Sequence, residues 1–201
     1  MRVIFAVVML MGLMGSVAYG AEPTKLAAGE GLHGRFQQLR YLTGFDAPIR
    51  STGSFFLIPG IELVWQTETP FGTRTVLDDK SVTQAIGKQE VTKVSLDRFP
   101  GLAVLRDALE DSLSGNWKKL EELAGSKLRR EGEQWHLNLT PDAGPNTLPF
   151  TAVEFSIGEF LEAVEIVKEK GDRDVITFFE QQTAPTAEIR QLANKKNEMA
   201  Q

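Results

Sequence analysis

Apolar residues recur at every second position in the stretch from 34 to 71, and this period constrains the fold more than any other feature of the chain. It is the period of a β-strand with one face against a core and the other in water. In the run from 61 to 68, one face carries Ile61, Leu63 and Trp65, the other carries Glu62, Gln66 and Glu68, and Val64 is the exception. Pro59-Gly60 separates this run from the alternating residues Phe55 and Leu57, which predicts a hairpin.

Turn residues divide the chain before residue 97 into short segments. The pattern predicts a short helix at 24–32 and then strands at 34–42, 50–58, 61–68, 73–78, 80–86 and 89–96. Because the loops between these strands are short, neighbouring strands must be antiparallel.

A helical period replaces the alternation at Pro100. Apolar residues recur at helical spacing up to Leu113, and Gly115 stands where this helix would end. Asn116 is placed to cap a second helix that runs to Leu123. Strands resume at 127–131 and 133–140, so two amphipathic helices interrupt a β-rich chain.

The N-terminus has the layout of a secretory signal peptide. Arg2 precedes an apolar run from Val3 to Val17, and Ala18-x-Gly20 is a small-residue cleavage site. The alternative is an uncleaved membrane anchor, but the run has about fifteen residues where a spanning helix needs ~20. We therefore predict a signal peptide at residues 1–20 and export of the mature chain. The chain has no Cys, so it has neither a disulfide nor a lipidated Cys.

Cleavage after Gly20 would leave a single domain with an acidic surface. Arg2 is the only charge lost, so 21 basic residues stand against 27 acidic ones, a net charge of −6. This balance argues against binding to nucleic acid. We assign 21–183 to the domain and 184–201 to a polar, weakly helical tail that frays.

Residues with catalytic potential are scattered. His33 and His136 lie far apart in the sequence, and no phosphate-binding loop or metal-ligand spacing occurs. Asp78-Asp79 is either a carboxylate pair for acid–base chemistry or, as we favour, a solvated turn. The basic run 127–130 is either a headgroup contact or a solvated strand face. We predict a protein that is not an enzyme, with no catalytic residues, metal or cofactor.

Several motifs together resemble the LolA family of periplasmic carriers of outer-membrane lipoproteins. They are, in chain order, Gly34-x-Phe36-x-Gln38, Ser51-x-Gly53-x-Phe55, Leu63-x-Trp65, Thr69-Pro70-Phe71, Trp135-x-Leu137-x-Leu139-x-Pro141 and Gly171-Asp172. The resemblance implies a mainly β (α+β) fold, in which a curved, incompletely closed antiparallel β-barrel has helices covering its concave face.

Residues 150 to 183 support two interpretations. The segment from 158 to 171 is typical of a helix, with acids early, lysines late and a Gly at the end. The resemblance instead implies strands on both sides of the Gly171-Asp172 turn, and the alternation in 153–157 and 175–179 agrees with it. We favour strands and leave residues 159–170 open between strand and helix.

The resemblance also implies a function and a site. The concave apolar face would bind acyl chains, through Phe36, Phe55, Leu57, Leu63, Trp65, Phe71, Val76, Leu102, Leu105, Leu109 and Leu113. Implied partners are an acylated lipoprotein or other lipid cargo, an inner-membrane donor complex and an outer-membrane acceptor, with the carrier itself a monomer.

The match to the family has a departure that leaves the cargo open. Ile58-Pro59 stands where the lipoprotein carriers commonly have an Arg, which indicates a divergent branch. The alternatives are a carrier for a non-protein lipid, such as a glycolipid or a polyketide-type lipid, and a periplasmic regulator that senses lipid with the same half-barrel.

Overall fold

An open sheet of eleven antiparallel strands forms the framework of the molecule. The computed structural model describes residues 22–140 and 150–199, so the predicted signal peptide and Pro141 lie outside the described residues. The strands are β1 (Glu30–Tyr41), β2 (Ile49–Ile58), β3 (Glu62–Thr69), β4 (Thr73–Asp78), β5 (Ser81–Ile86), β6 (Gln89–Ser95), β7 (Arg129–Glu131), β8 (Gln134–Leu139), β9 (Ala152–Ile157), β10 (Leu161–Val167) and β11 (Arg173–Pro185).

Strand order explains both the shape of the sheet and the position of its helices. The order is β6-β5-β4-β3-β2-β1-β11-β10-β9-β8-β7, so the first and last strands pair at the centre and β6 and β7 are the edges. Helices α1 (Pro100–Ser114) and α2 (Trp117–Ala124) connect these two edges. Gly115 ends α1 in the left-handed region at φ 72°, as a C-terminal glycine should. The predicted fold, an antiparallel sheet not closed into a barrel and accompanied by helices, is confirmed.

Two glycines and two phenylalanines fix the centre of the sheet. Phe36 on β1 lies opposite Gly53 on β2, and Phe55 on β2 lies opposite Gly34 on β1. A Cβ on Gly53 would lie 2.0 Å from the backbone oxygen of Gln66 and 2.8 Å from the Phe36 ring, and one on Gly34 would lie 2.9 Å from the Phe55 ring. Each glycine therefore leaves space for the ring of the opposite strand, which accounts for the two Gly-x-Phe motifs.

The helix predicted at 24–32 is wrong. Strand β1 begins at Glu30, and the segment before it makes long-range hydrogen bonds. The amide of Thr24 donates to the carbonyl of Glu159 at 2.7 Å, and that of Leu26 donates to the carbonyl of Ser114 at 3.0 Å. Because these bonds tie the segment to two distant elements, tertiary contacts override its local helical pattern.

Residues 161–167 form strand β10, which decides the interpretation that the sequence left open. The strand pairs with β9 on one side and β11 on the other, and Leu161 and Val164 are buried. The acids and lysines that are typical of a helix serve instead as cross-strand partners, since Glu165 accepts a hydrogen bond from Arg173 at 3.0 Å.

The tail does not fray but forms helix α3 (Thr186–Met199) on the outer face of the sheet. Ile189 is completely buried there, and it packs with Phe56, Ile58 and Val64 from β2 and β3. This contact explains why Val64 breaks the alternation of its strand, because α3 makes that part of the outer face dry. Sequence reasoning missed this second interface because, within the described residues, α3 contributes just three apolar side chains to it, those of Ile189, Leu192 and Ala193.

Substitution of Gly53 by Ala should destabilise the fold. The added Cβ would overlap the Gln66 backbone, which cannot move without disturbing the β2–β3 ladder. Overpacking of this kind costs about 1–3 kcal/mol. Gly72→Ala is the matched control, because a Cβ there meets nothing within 4 Å. Urea unfolding followed by circular dichroism measures both, and equal midpoints would contradict the close packing at Gly53.

Docking of α3 should weaken in acid. Burial favours the neutral form of Glu68, but hydrogen bonds from Lys196 and Ser54 outweigh it, and the net effect lowers its pKa. A lowered carboxylate pKa contributes stability above the ordinary Glu range of about 4.3, and this stability is lost as the pH falls through the folded-state pKa. Glu68→Gln should therefore reduce stability at pH 7 and flatten its decline toward pH 3.

Urea midpoints at pH 7 and pH 3 measure this dependence. Glu90→Gln, at an exposed position on edge strand β6, is the control and should leave the pH profile as in the unsubstituted protein. An unchanged profile for Glu68→Gln would show that the contact does not hold the helix.

Candidate functional site

The inner face of the sheet and helices α1 and α2 enclose one apolar cluster. Of the eleven residues predicted to bind acyl chains, five are buried in it, namely Phe36, Phe55, Leu57, Leu63 and Leu113. Trp65, Leu105 and Leu109 are half-buried and pack against it. The structure thus brings eight of the predicted residues to one side of the sheet, and the ninth, Leu102, is half-buried on the first turn of α1.

Two predicted residues lie elsewhere. Phe71 is 79% exposed in the turn between β3 and β4. Val76 packs with the outer cluster beneath α3, opposite Val64, whereas its neighbour Leu77 lies opposite Leu63 and packs against the inner cluster. Placing Val76 on the inner face was wrong, because a shift of one residue along a strand moves a side chain to the other face. Phe71 is not on that face either, because it lies in a turn rather than on a strand. Leu77 is the residue that sequence reasoning missed, and the register of the β3–β4 hairpin would have been needed to find it.

Aromatic rings fill the centre of the inner cluster. The ring centroids of Phe36 and Trp65 lie 3.9 Å apart in a stacked arrangement, and Phe178 meets Phe55 edge-on at 5.4 Å. Such pairs contribute beyond the area they bury, by about 0.5–1.5 kcal/mol each. This part of the interior is packed by the protein's own side chains, so it serves as a rigid floor.

Apolar surface that remains partly open lies beside this floor. Helix α1 packs over β1 and β2, while Trp65 on β3 and Leu77 on β4 keep part of their surface accessible. Leu105 and Leu109 on α1 are half-buried in the same way. These four residues, Trp65, Leu77, Leu105 and Leu109, each pack against the inner cluster with part of their surface accessible. We call them together the open groove, and their surface is suited chemically to a flexible hydrocarbon chain.

Helix α1 is tied to the sheet by polar contacts at one end. Glu110 accepts a hydrogen bond from the amide of Gly60 at 2.7 Å and another from Arg106 at 3.3 Å. Nearby, burial raises the pKa of Asp111, although Asn116 donates a hydrogen bond to its carboxyl at 2.9 Å. Of these contacts, the one between Glu110 and Gly60 joins α1 to the sheet, and it lies toward the C-terminal end of the helix.

Some buried polar atoms on the strands have no hydrogen-bond partner among the described residues. Two of them are Trp135 Nε1, a donor, and Gln181 Oε1, an acceptor. Gln181 itself is held in place because its side-chain amide donates to the carbonyl of Leu161 at 2.8 Å.

Titratable residues do not assemble a reaction site within the ranges 22–140 and 150–199. Asp78 accepts hydrogen bonds from the amides of Lys80 and Ser81, at 2.8 and 2.7 Å, so the favoured interpretation of Asp78-Asp79 as a turn is confirmed. His33 stacks on Phe56 at the outer face, and burial lowers its pKa, with Glu188 opposing the shift. His136 lies on β8 with Nδ1 3.3 Å from Glu154. In the same ranges, no group of three His, Cys, Asp or Glu is placed to hold a metal.

Comparison with known proteins identifies the family. Residues 17–195 match the family described as "Outer membrane lipoprotein carrier protein LolA-like". The chain belongs to this LolA-like family. Its members are carrier proteins that bind lipid or lipoprotein and are not enzymes, and the family is typically periplasmic. In the part of this LolA-like chain that the structure describes, no helix has the length and apolar character needed to cross a bilayer.

Among solved structures, a LolA superfamily protein from Nitrosomonas europaea is similar, with 7% sequence identity and a TM-score of 0.38. The similarity covers 78% of this chain and 87% of that chain. A comparison with curated proteins gives no match.

Proposed function

We propose that the protein is a periplasmic carrier that shields the acyl chains of a lipoprotein or related lipid during transfer from the inner to the outer membrane. Membership of the LolA-like family supports a carrier. The single observation that carries the proposal further is the open groove, whose four half-buried apolar side chains on α1, β3 and β4 pack against the inner cluster.

The energetics of lipid in water explain why such a groove is needed. Burial of one methylene is worth ~0.8 kcal/mol, so exposure of a sixteen-carbon chain costs on the order of 12 kcal/mol. Spontaneous desorption from a membrane is therefore very slow. A carrier must offer a competing apolar surface, yet bind more weakly than the acceptor to which it delivers.

The packing of the interior suits weak and reversible binding. The aromatic floor of Phe36, Phe55, Trp65 and Phe178 is already filled, so an acyl chain would lie on it rather than replace it. More space would open when α1 moves away from the strands β1 and β2 over which it packs. Binding of the acyl chain by the carrier would therefore be weak. An acceptor with a higher affinity for the lipid would then take the cargo from the carrier.

A carrier of a non-protein lipid is the second candidate. Ile58 stands where the resemblance leads us to expect an Arg, and it is buried beneath α3, where an Arg side chain would lose its hydration. A cargo that needs that Arg is therefore disfavoured. Glycolipids and polyketide-type lipids are the non-protein cargoes that this second candidate would carry.

The decisive experiment identifies what copurifies. The protein is exported in a Gram-negative host, its N-terminus is established by intact mass, and the bound material is extracted and weighed by mass spectrometry. Acylated peptide supports lipoprotein transfer, and free glycolipid or polyketide-type lipid supports the second candidate. An empty protein that also fails to bind a fluorescent fatty acid would refute a carrier function.

Substitutions on adjacent residues of β4 test the open groove. Leu77→Asn should weaken binding of dansyl-undecanoic acid by about tenfold, because the loss of one buried aliphatic side chain is worth about 1.5–3 kcal/mol. Val76→Asn is the matched control, since Val76 packs under α3 on the other face and should affect stability but not binding. Fluorescence titration gives both affinities, and equal losses would argue against the groove.

Leu105→Asn makes the same test from the helix. Leu105 packs against the inner cluster from α1. A polar side chain there should reduce the affinity for dansyl-undecanoic acid about as much as Leu77→Asn does. Leu123→Asn on α2 is the control, because Leu123 is already exposed. Full affinity in Leu105→Asn would place the acyl chain away from α1.

A further inference from the structure

Three hairpin turns at one end of the sheet carry large apolar side chains in water. The turns join β1 to β2, β3 to β4 and β5 to β6, and antiparallel connection puts all three at the same end. Phe45 is 70% exposed in the first turn, Phe71 is 79% exposed in the second, and Ile86 is 56% exposed at the start of the third. Ile49, which is 49% exposed, follows Phe45 at the first residue of β2. We call these four residues the apolar rim.

The rim residues lie on alternate connections at one end of the sheet. Neighbouring strands lie about 4.8 Å apart, so the first and third turns, four strands apart, are separated by roughly 19 Å. Turns are normally polar, and isolated exposed apolar residues need no explanation. Three successive turns at one end that each present a Phe or Ile do need one, because a cluster of this kind marks an interaction surface.

Charge distinguishes this end of the sheet from the other. The segments at this end are 42–50, 70–72, 86–89 and the β10–β11 turn 168–172, which hydrogen-bonds to Thr43. Their charged residues are four cations, Arg50, Lys88, Lys168 and Lys170, and three anions, Asp46, Glu169 and Asp172. At the opposite end, the segments 59–62 and 78–81 carry Glu62, Asp78, Asp79 and Lys80, which is three anions and one cation. An anionic surface therefore attracts the end with the rim and repels the other, in a protein whose overall charge is −5.

We propose that the apolar rim docks the protein on the surface of a lipid bilayer that contains anionic phospholipid. Aromatic and aliphatic tips would enter the region between headgroups and acyl chains, while Arg50 and Lys88 lie near the headgroups. The open groove begins close by, since Trp65 is five residues from Pro70 along β3, or roughly 17 Å. An acyl chain could then pass from bilayer to groove without crossing bulk water. This proposal rests on the proposed carrier function.

Vesicle flotation tests the proposal. The exported protein is mixed with vesicles of phosphatidylethanolamine and phosphatidylglycerol in a 3:1 ratio, and the partition coefficient is measured for the unsubstituted protein and for the triple variant Phe45→Ser, Phe71→Ser and Ile86→Ser. We expect at least a tenfold loss in the triple variant. Ile61→Ser is the matched control, because Ile61 is 49% exposed in a turn at the opposite end, and its partition should stay within twofold.

A second vesicle composition separates the contribution of the apolar side chains from that of charge. Vesicles of pure phosphatidylcholine should bind the unsubstituted protein several-fold more weakly, and equal binding would overturn the role of anionic phospholipid. No binding to either vesicle, or equal binding by the triple variant, would overturn the rim as a bilayer contact and leave a protein partner as its occupant.

A solution assay keeps this result distinct from the carrier function. The triple variant should retain full affinity for dansyl-undecanoic acid, because its three side chains lie outside the open groove and its fold, checked by circular dichroism, should be unchanged. If the unsubstituted protein fails to bind the probe, the carrier function fails. If it binds the probe but not vesicles, only the rim proposal fails.

Discussion

The reciprocal contact between two glycines and two phenylalanines on β1 and β2 is the constraint on which the rest of the structure depends. Phe36 lies over Gly53 and Phe55 lies over Gly34, so both rings can settle close to the sheet. From the neighbouring strands, Trp65 then stacks on Phe36, and Phe178 meets Phe55 edge-on. Because this aromatic layer occupies the centre, helix α1 rests above it on β1 and β2, and the partly open surface is displaced toward β3 and β4.

The two faces of the sheet are covered by different helices. The outer face is sealed locally by α3, through a small apolar cluster and the contact of Lys196 with Glu68 at 2.8 Å. The inner face is covered by helices that connect the two edges of the sheet rather than neighbouring strands. Helix α1 in this cover packs apolar side chains on the inner cluster and accepts a hydrogen bond from the amide of Gly60 through Glu110.

Most of the fold could be predicted from the sequence, and the errors have identifiable physical causes. Strand period and turn residues located β2 to β6 and the start and end of α1 closely, since these features are local. The helix expected at 24–32 failed because distant carbonyls bind that segment, and β10 was ambiguous because its Glu and Lys residues suit either a helix or cross-strand pairs. The prediction that Val76 lies on the inner face was wrong because Val76 and Leu77 are both apolar. The register of the hairpin decides which of the two faces inward.

The pairing of β1 with β11 has a consequence for how the chain reaches its native state. Glu30 lies opposite Pro185, so the central ladder joins residues that are separated by most of the sequence. Contacts with such large sequence separation form slowly, since the entropy of closing a long loop must be overcome first. We therefore expect assembly of the whole sheet to wait for synthesis of its last strand. A delay of that kind would suit the export that we propose, because a chain that is still unfolded can be threaded through a translocon.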